Sequence, residues 1–269
     1  MKERLRHQLH PDVQQALRET QRFTGKEPLI KQVDSLPRNV RAMLKRPLRP
    51  SRPYEILFRK GEDAVISHLI THELGHVIRL HQVPPEDRLI MAVLLKHRVH
   101  AARQIQDELL PLLGLGLLPE QLGDMMMDWH EALAEQIGNG PVDIRIEQWI
   151  FDRFPGLRRT QEASLTEEVE CGFEAFHPLV RQTIPPSIYC PTLAMNAAQA
   201  WQVAELYKRP DLLRLYDLHQ LTGLGRHLAR IVLDAPDEGH KSDMDAINRW
   251  ASELKLSGWF EWRQYGVVY

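Results

Sequence analysis

An α+β fold, predominantly α, is predicted for this 269-residue chain from three observations. Apolar residues recur at helical spacing over most of its length. Strand-like runs are few and short, led by Tyr54–Lys60 (YEILFRK). Breaks at Pro185-Pro186, Pro210 and Ala235-Pro236 divide residues 163–257 into four or five helices. Hydrophobic residues make up 43% and charged residues 26%, an ordinary globular balance that excludes disorder and fibrous architectures. Lys plus Arg number 34 against 36 for Asp plus Glu, a net charge of −2. That balance lacks the electrostatic footprint of a dedicated nucleic-acid binder, so nucleic acid is not expected as a partner.

Residues 1–22 read as a helix, with Leu5, Leu9, Val13 and Leu17 at four-residue intervals. The opening MKERLRHQLHPD is charged from its second residue and has no apolar core, so no secretory signal is read and a cytoplasmic setting is expected. Residues 29–35 (LIKQVDS) form a short strand. Residues 38–53 carry Arg38, Arg41, Lys45, Arg46, Arg49 and Arg52, and prolines 47, 50 and 53 forbid a continuous helix. Without interleaved aromatics this stretch reads as a solvated, extended connector rather than an anion site. Tyr54–Lys60 is a strand, bounded by Pro53 and Gly61.

After Gly61 the period changes. Ala64, Val65, Ile66, Leu69, Ile70, Leu74, Val77 and Ile78 fill much of a helical circumference, which predicts a mostly buried helix. A helix from Glu86 to about Leu110 follows, then a Gly/Leu loop at 113–118 and a helix over Glu120–Ile137. The longest apolar stretch, Leu109–Leu118, is interrupted by Pro111, Gly114 and Gly116 and falls far short of the ~20 residues of a membrane span. The Gly138-Asn-Gly-Pro141 run stops one helix and starts another, about Val142–Phe154. The aromatic, β-branched tail WFEWRQYGVVY is a terminal strand or docked extension. Three regions result: residues 1–53, an N-terminal helix and basic connector; 54–160, a core; and 161–269, a helical region packed on it. Cys171 and Cys190 are too few for a disulfide framework and read as small buried thiols.

Thirteen histidines are unusual for this length, and two of them define the chemistry. His72-Glu73-Leu74-Gly75-His76 places two imidazoles one turn apart on one helix face, where both reach a single ion. Glu73 sits beside that face, positioned to take a proton from an attacking water and return it to a leaving amine. This is the HExxH pattern of zinc peptidases, and its uncharged flanks Leu69-Ile70-Thr71 and Val77-Ile78 suit a core-embedded helix. Two His and a Glu on such a helix would be costly without partners.

HELGH followed by hydrophobic residues resembles the zincin metallopeptidases, especially the cytosolic ImmA/IrrE-like branch and its compact gluzincin-type relatives. The resemblance covers roughly residues 54–82 and an acidic helix. It implies a small sheet against the HExxH helix, with an edge strand that holds an extended substrate, and YEILFRK as part of that sheet. It implies hydrolysis of a peptide bond in a specific protein or peptide substrate, in such peptidases often a neighbouring gene's product.

Catalytic zinc takes three side chains. His81 lies only five residues past His76 and cannot fold back, and His68, one turn before His72, would be too far along a straight helix. A carboxylate from another helix remains. Asp143 and Glu147 stand at i and i+4, and this pair resembles the acidic pair of gluzincin-type enzymes, in which one carboxylate binds zinc and the other orients a ligand His; the usual first residue is Glu, here Asp. Asp143 is the first choice, Glu147 the alternative, and Glu131/Glu135 a competing pair. The Gly138–Pro141 turn is expected to hold Asp143 in a first helical turn, with Gly75 and Gly140 permitting close helix approach. Tyr189, His177 and His240 are chemically suited to stabilise an oxyanion. Met125–Met127, Trp201 and Trp250 read as packing residues, and Ser242 or Asp243 as a helix cap. The expected function is an intracellular zinc endopeptidase (a hydrolase with Zn2+ on His72, His76 and Asp143, and Glu73 as base); the alternative is a zincin-fold sensor or regulatory module with little turnover.

Overall fold

Helices dominate the computed structural model, which describes residues 9–37, 40–47, 52–114 and 116–265. One three-stranded and one two-stranded sheet complete the α+β, mainly α class that the sequence predicts. Leu5 at the start of the first predicted helix, and Arg38, Arg49 and Pro50 of the basic stretch, lie outside the described residues.

The first helix, α1 (Pro11–Thr24), has proline at its start, where a missing N–H costs nothing, and ends at Gly25 in the left-handed region (φ +71°). Val13, Ala16 and Leu17 form its buried face. Strands β1 (Leu29–Val33), β2 (Ala42–Lys45) and β3 (Glu55–Arg59) pair in the order β1-β3-β2, with β1 parallel and β2 antiparallel to β3. The register sets Ile30, Ile56 and Leu44 side by side, and this row joins a core with Val13, Leu17, Ile70, Leu74, Ile146 and Ile150. Strand β2 corrects the reading of 38–53 as a solvated connector. Residues 42–45 are free of proline, so Pro47 follows the edge strand β2 and Pro53 precedes β3, and neither interrupts a strand.

Helix α2 (Ile66–His81) carries the HExxH sequence. Its apolar face, Ile70, Leu74, Val77 and Ile78, is buried, and α1 and strands β2 and β3 pack against this helix. The predicted helix from Glu86 is also corrected: Leu89–Ala92 is strand β4, and α3 (Leu95–Gly114) begins only afterwards. The apolar run 89–95 fits either period, and its partner decides. That partner is β5 (Glu261–Gln264), antiparallel to β4, so the described part of the tail contains a strand, while residues 266–269 lie outside the described residues.

The largest correction concerns Gly138–Pro141. Helix α4 runs unbroken from Pro119 to Arg153, through that segment. Its glycines are sites of close packing. A Cβ on Gly138 would lie 2.6 Å from Met91 Cε, and one on Gly140 2.9 Å from Trp250 Cζ3. Pro141 forfeits one backbone bond but keeps a helical φ, and the surrounding core holds the helix together. Residues Leu133, Ile137 and Ile144 of α4 belong to one apolar core and its Ile146 and Ile150 to another, so a single helix joins the two.

Six helical segments follow: α5 (Arg158–Gly172), α6 (Pro178–Thr183), α7 (Pro186–Tyr207), α8 (Arg214–Leu218), α9 (Thr222–Leu233) and α10 (His240–Glu253), with breaks at the predicted prolines. Cys171 and Cys190 are exposed, contrary to the expectation of buried thiols. Among the described residues no helix is long and apolar enough to cross a membrane.

His81 closes α2, where the buried Tyr54 hydroxyl shares a hydrogen bond of 2.9 Å with its Nε2. Burial, helped by the Arg88 charge, pushes the imidazole down from 6.5 to about 4. The unfolded chain therefore takes up a proton that the folded chain refuses. The contribution of His81 is full above pH 6.5 and is lost as pH falls from about 6.5 to about 4. In denaturant titrations across that window, stability should fall less steeply for His81→Gln than for the wild type. Parallel slopes would contradict this account.

Candidate metal centre

The other face of α2 carries a polar stripe, His68, His72, His76 and Arg79, in an otherwise apolar helix. Each member meets a carboxylate. Contacts of His68 with Glu147, of His72 with both Glu147 and Asp143, and of His76 with Asp143 set α2 antiparallel to α4. Gly75 makes the approach possible, because a Cβ there would stand 2.8 Å from Ile146 Cγ2 on α4. Gly140 faces Trp250 instead, so only one of the two glycines expected to admit the helix contact does so. Asp143 lies in the middle of α4, not in a first turn, and packing rather than a turn fixes its place.

His72 Nε2, His76 Nε2 and Asp143 Oδ1 form a triangle with sides of 3.2, 3.2 and 3.4 Å. Three corners of a tetrahedron drawn around an ion at bonds of 2.0–2.1 Å lie about 3.3–3.4 Å apart. The donor set, two imidazoles and a carboxylate, is that of a zinc site with one position left for water or substrate. Asp143 Oδ1 is buried and makes no hydrogen bond of good geometry, its near neighbours being the two imidazole Nε2 atoms. The residues present thus fit zinc.

Glu147 stands behind the triangle. Its carboxylate is buried and lies 2.6 Å from His72 Nδ1, 2.9 Å from His68 Nε2 and 2.6 Å from Gln161 Nε2. A carboxylate only accepts, so each of these nitrogens donates. Glu147 thus holds a proton on His72 Nδ1, which leaves Nε2 as the nitrogen directed at the triangle. Burial pushes the Glu147 carboxyl up, but His68 and His72 outweigh it and hold it well below the usual range. Burial likewise opposes a proton on His72, yet Asp143 and Glu147 raise its pKa well above 6.5; the site favours positive charge. Burial is also overcome at Asp143, where His72 and His76 lower the carboxyl. Gln161 is in turn fixed by the Tyr207 hydroxyl, which donates to its Oε1 at 2.6 Å. Gln161 and Tyr207 escape sequence reasoning, since nothing local ties them to residue 72.

Glu73, next to His72 along α2, is half-buried, with no hydrogen-bond or ion-pair partner among the described residues. The competing pair is elsewhere: Glu131 and Glu135 are exposed, and Glu131 pairs with Arg98. None of the three oxyanion candidates is brought to the triangle. His177 caps α6, His240 Nε2 donates to the Leu89 carbonyl at 2.6 Å, and Tyr189 lies on α7 beside Cys190. Asp243 pairs with Arg79 rather than capping α10, which begins at His240.

Comparison of the chain with protein-family models, with curated proteins and with solved structures finds no match.

The geometry separates the two acidic residues experimentally. Asp143→Ala should reduce zinc affinity by well over a hundredfold, whereas Glu147→Gln, which loses the grip on His72 but no ligand atom, should reduce it about 10–100-fold. Competition titrations with a zinc chelator measure both, and the reverse order would exclude Asp143 as the ligand.

Proposed function

We propose that this protein is a zinc-dependent peptidase, with His72, His76 and Asp143 as the metal ligands and Glu73 as the general base. The observation that carries the reading is the triangle of three donors, with a buried carboxylate oxygen that makes no hydrogen bond of good geometry and, next to His72 along α2, a glutamate with no partner among the described residues. Zinc, when bound, supplies Lewis-acid chemistry, polarising a scissile carbonyl and making water acidic enough to attack at neutral pH.

The remaining roles fall to the chain. Glu73 accepts the proton of the attacking water on its carboxylate and delivers it to the departing amine nitrogen. Glu147, by holding the Nδ1 proton of His72, keeps the opposite nitrogen free. Strand β2 is at the sheet edge and packs against α2, which supports an extended peptide bound alongside it. The zincin resemblance of HELGH points the same way. An intact, unpaired Glu73 favours a peptidase over a regulatory module that has lost turnover.

Purified protein should bind close to one zinc per chain, and His72→Ala or His76→Ala should abolish that binding. Glu73→Gln keeps the shape of the base but not its proton affinity. It should retain zinc and fold while cleaving a degenerate peptide library about 10²–10⁴-fold more slowly. A chain without zinc affinity, or cleavage unchanged in Glu73→Gln, would overturn the proposal.

A further inference from the structure

Helix α3 carries apolar residues on two sides. Its inward face, with His97, Ala101, Ile105 and Leu112, is buried. A second stripe runs along the outside, where Leu95, Val99, Ala102, Gln106, Leu110 and Leu113 recur at three- and four-residue intervals. At ~100° per residue these positions share an arc of about 80° over about 27 Å of helix. Leu95 is 76% exposed, Leu110 63%, and Val99 and Leu113 40% each. A single surface leucine is ordinary, but a continuous exposed stripe marks a contact surface.

The flanks of α3 are anchored and leave that arc open. On one side Arg98 reaches Glu131 and Met127 of α4. On the other, Gln104 donates to the Lys255 carbonyl at 3.1 Å and accepts from Trp259 Nε1 at 2.9 Å. The stripe lies between these two flanks.

Its pattern is self-complementary. Reversed end to end about residue 104, the stripe sets Leu95 opposite Leu113 of a second copy, Val99 opposite Leu110, and the small Ala102 opposite Gln106. The charges obey the same symmetry. Arg103 and Asp107, at the edge of the stripe, are exposed and have no ion-pair partner among the described residues. Antiparallel packing brings each Arg103 to the Asp107 of the other copy, giving two equivalent pairs about one two-fold axis. A lipid surface would make no use of that pairing.

We propose that α3 is the interface of a homodimer, in which the outer stripes of two copies pack antiparallel across a two-fold axis near residue 104, with Arg103 paired to Asp107 of the second copy. A two-fold contact uses the same patch on both subunits, so one interface covers both stripes.

Sedimentation velocity of the full chain over about 1–100 μM tests this, and the mass should rise from one chain to two within that range. Val99→Asp combined with Leu110→Asp, both at exposed positions, should keep the circular dichroism and raise the dimer Kd at least about a hundredfold. Arg103→Glu and Asp107→Arg should each raise it about tenfold, because like charges then meet on both sides of the axis. Mixed together, these two charge variants should form a heterodimer with a Kd near that of the wild type, since each supplies the charge the other lacks. A chain that stays monomeric throughout, a dimer that survives Val99→Asp with Leu110→Asp, or charge variants that associate no better mixed than alone would overturn the inference. A monomer that sediments with phosphatidylcholine vesicles would also overturn it and assign the stripe to a lipid surface.

Discussion

Glu147 carries a negative charge into the interior, and the hydrogen bonds that satisfy it tie three helices together: His68 and His72 from α2, Glu147 itself on α4, and Gln161 from α5. Removing one partner of such a buried ionic cluster typically costs about 3–5 kcal/mol, because the remaining charge stays buried without compensation. The same bonds decide which nitrogen of His72 keeps its proton. One interaction thus sets the helix register and the chemistry of the triangle together. The absence of a side chain at Gly75 is the steric counterpart, since it brings α4 within reach of two histidines.

A second buried ionic cluster continues the stripe along α2. Arg79 donates from Nε and Nη2 to the two Asp243 oxygens, both at 2.7 Å, and from Nη2 to Asp237 at 2.8 Å. Arg145, two residues from Asp143, stands 3.6 Å from each of the same aspartates. These bonds fasten α10 and the turn before it to the HExxH helix, one turn beyond His76. The C-terminal helices therefore support the candidate metal site through α2 directly as well as through α4, whose two halves lie in separate apolar cores.

The centre was legible where its parts are local. His72 and His76, and likewise Asp143 and Glu147, announce themselves by four-residue spacing, which puts side chains on one helix face wherever that helix lies. The position of Asp143 is fixed by packing in the middle of α4, which its local sequence does not show. Glycine and proline at 138–141 have the chemistry of a helix stop, but here the glycines admit Trp250 and Met91, partners distant in sequence. Strand β4 has a sequence that suits a helix equally well, and its strand form depends on the far C-terminal β5. Gln161 and the Arg79–Asp243 pair enter only through long-range packing, and a periodicity carries no trace of it.

The central claim is that two imidazoles of α2 and one carboxylate of α4 hold a single zinc ion. X-ray absorption at the zinc edge of the loaded protein tests it most directly. The account predicts a shell of about four nitrogen and oxygen neighbours at ~2.0–2.1 Å, with outer-shell scattering from two imidazoles and no sulfur. A six-oxygen shell, a sulfur neighbour, or scattering from fewer than two imidazoles would contradict it.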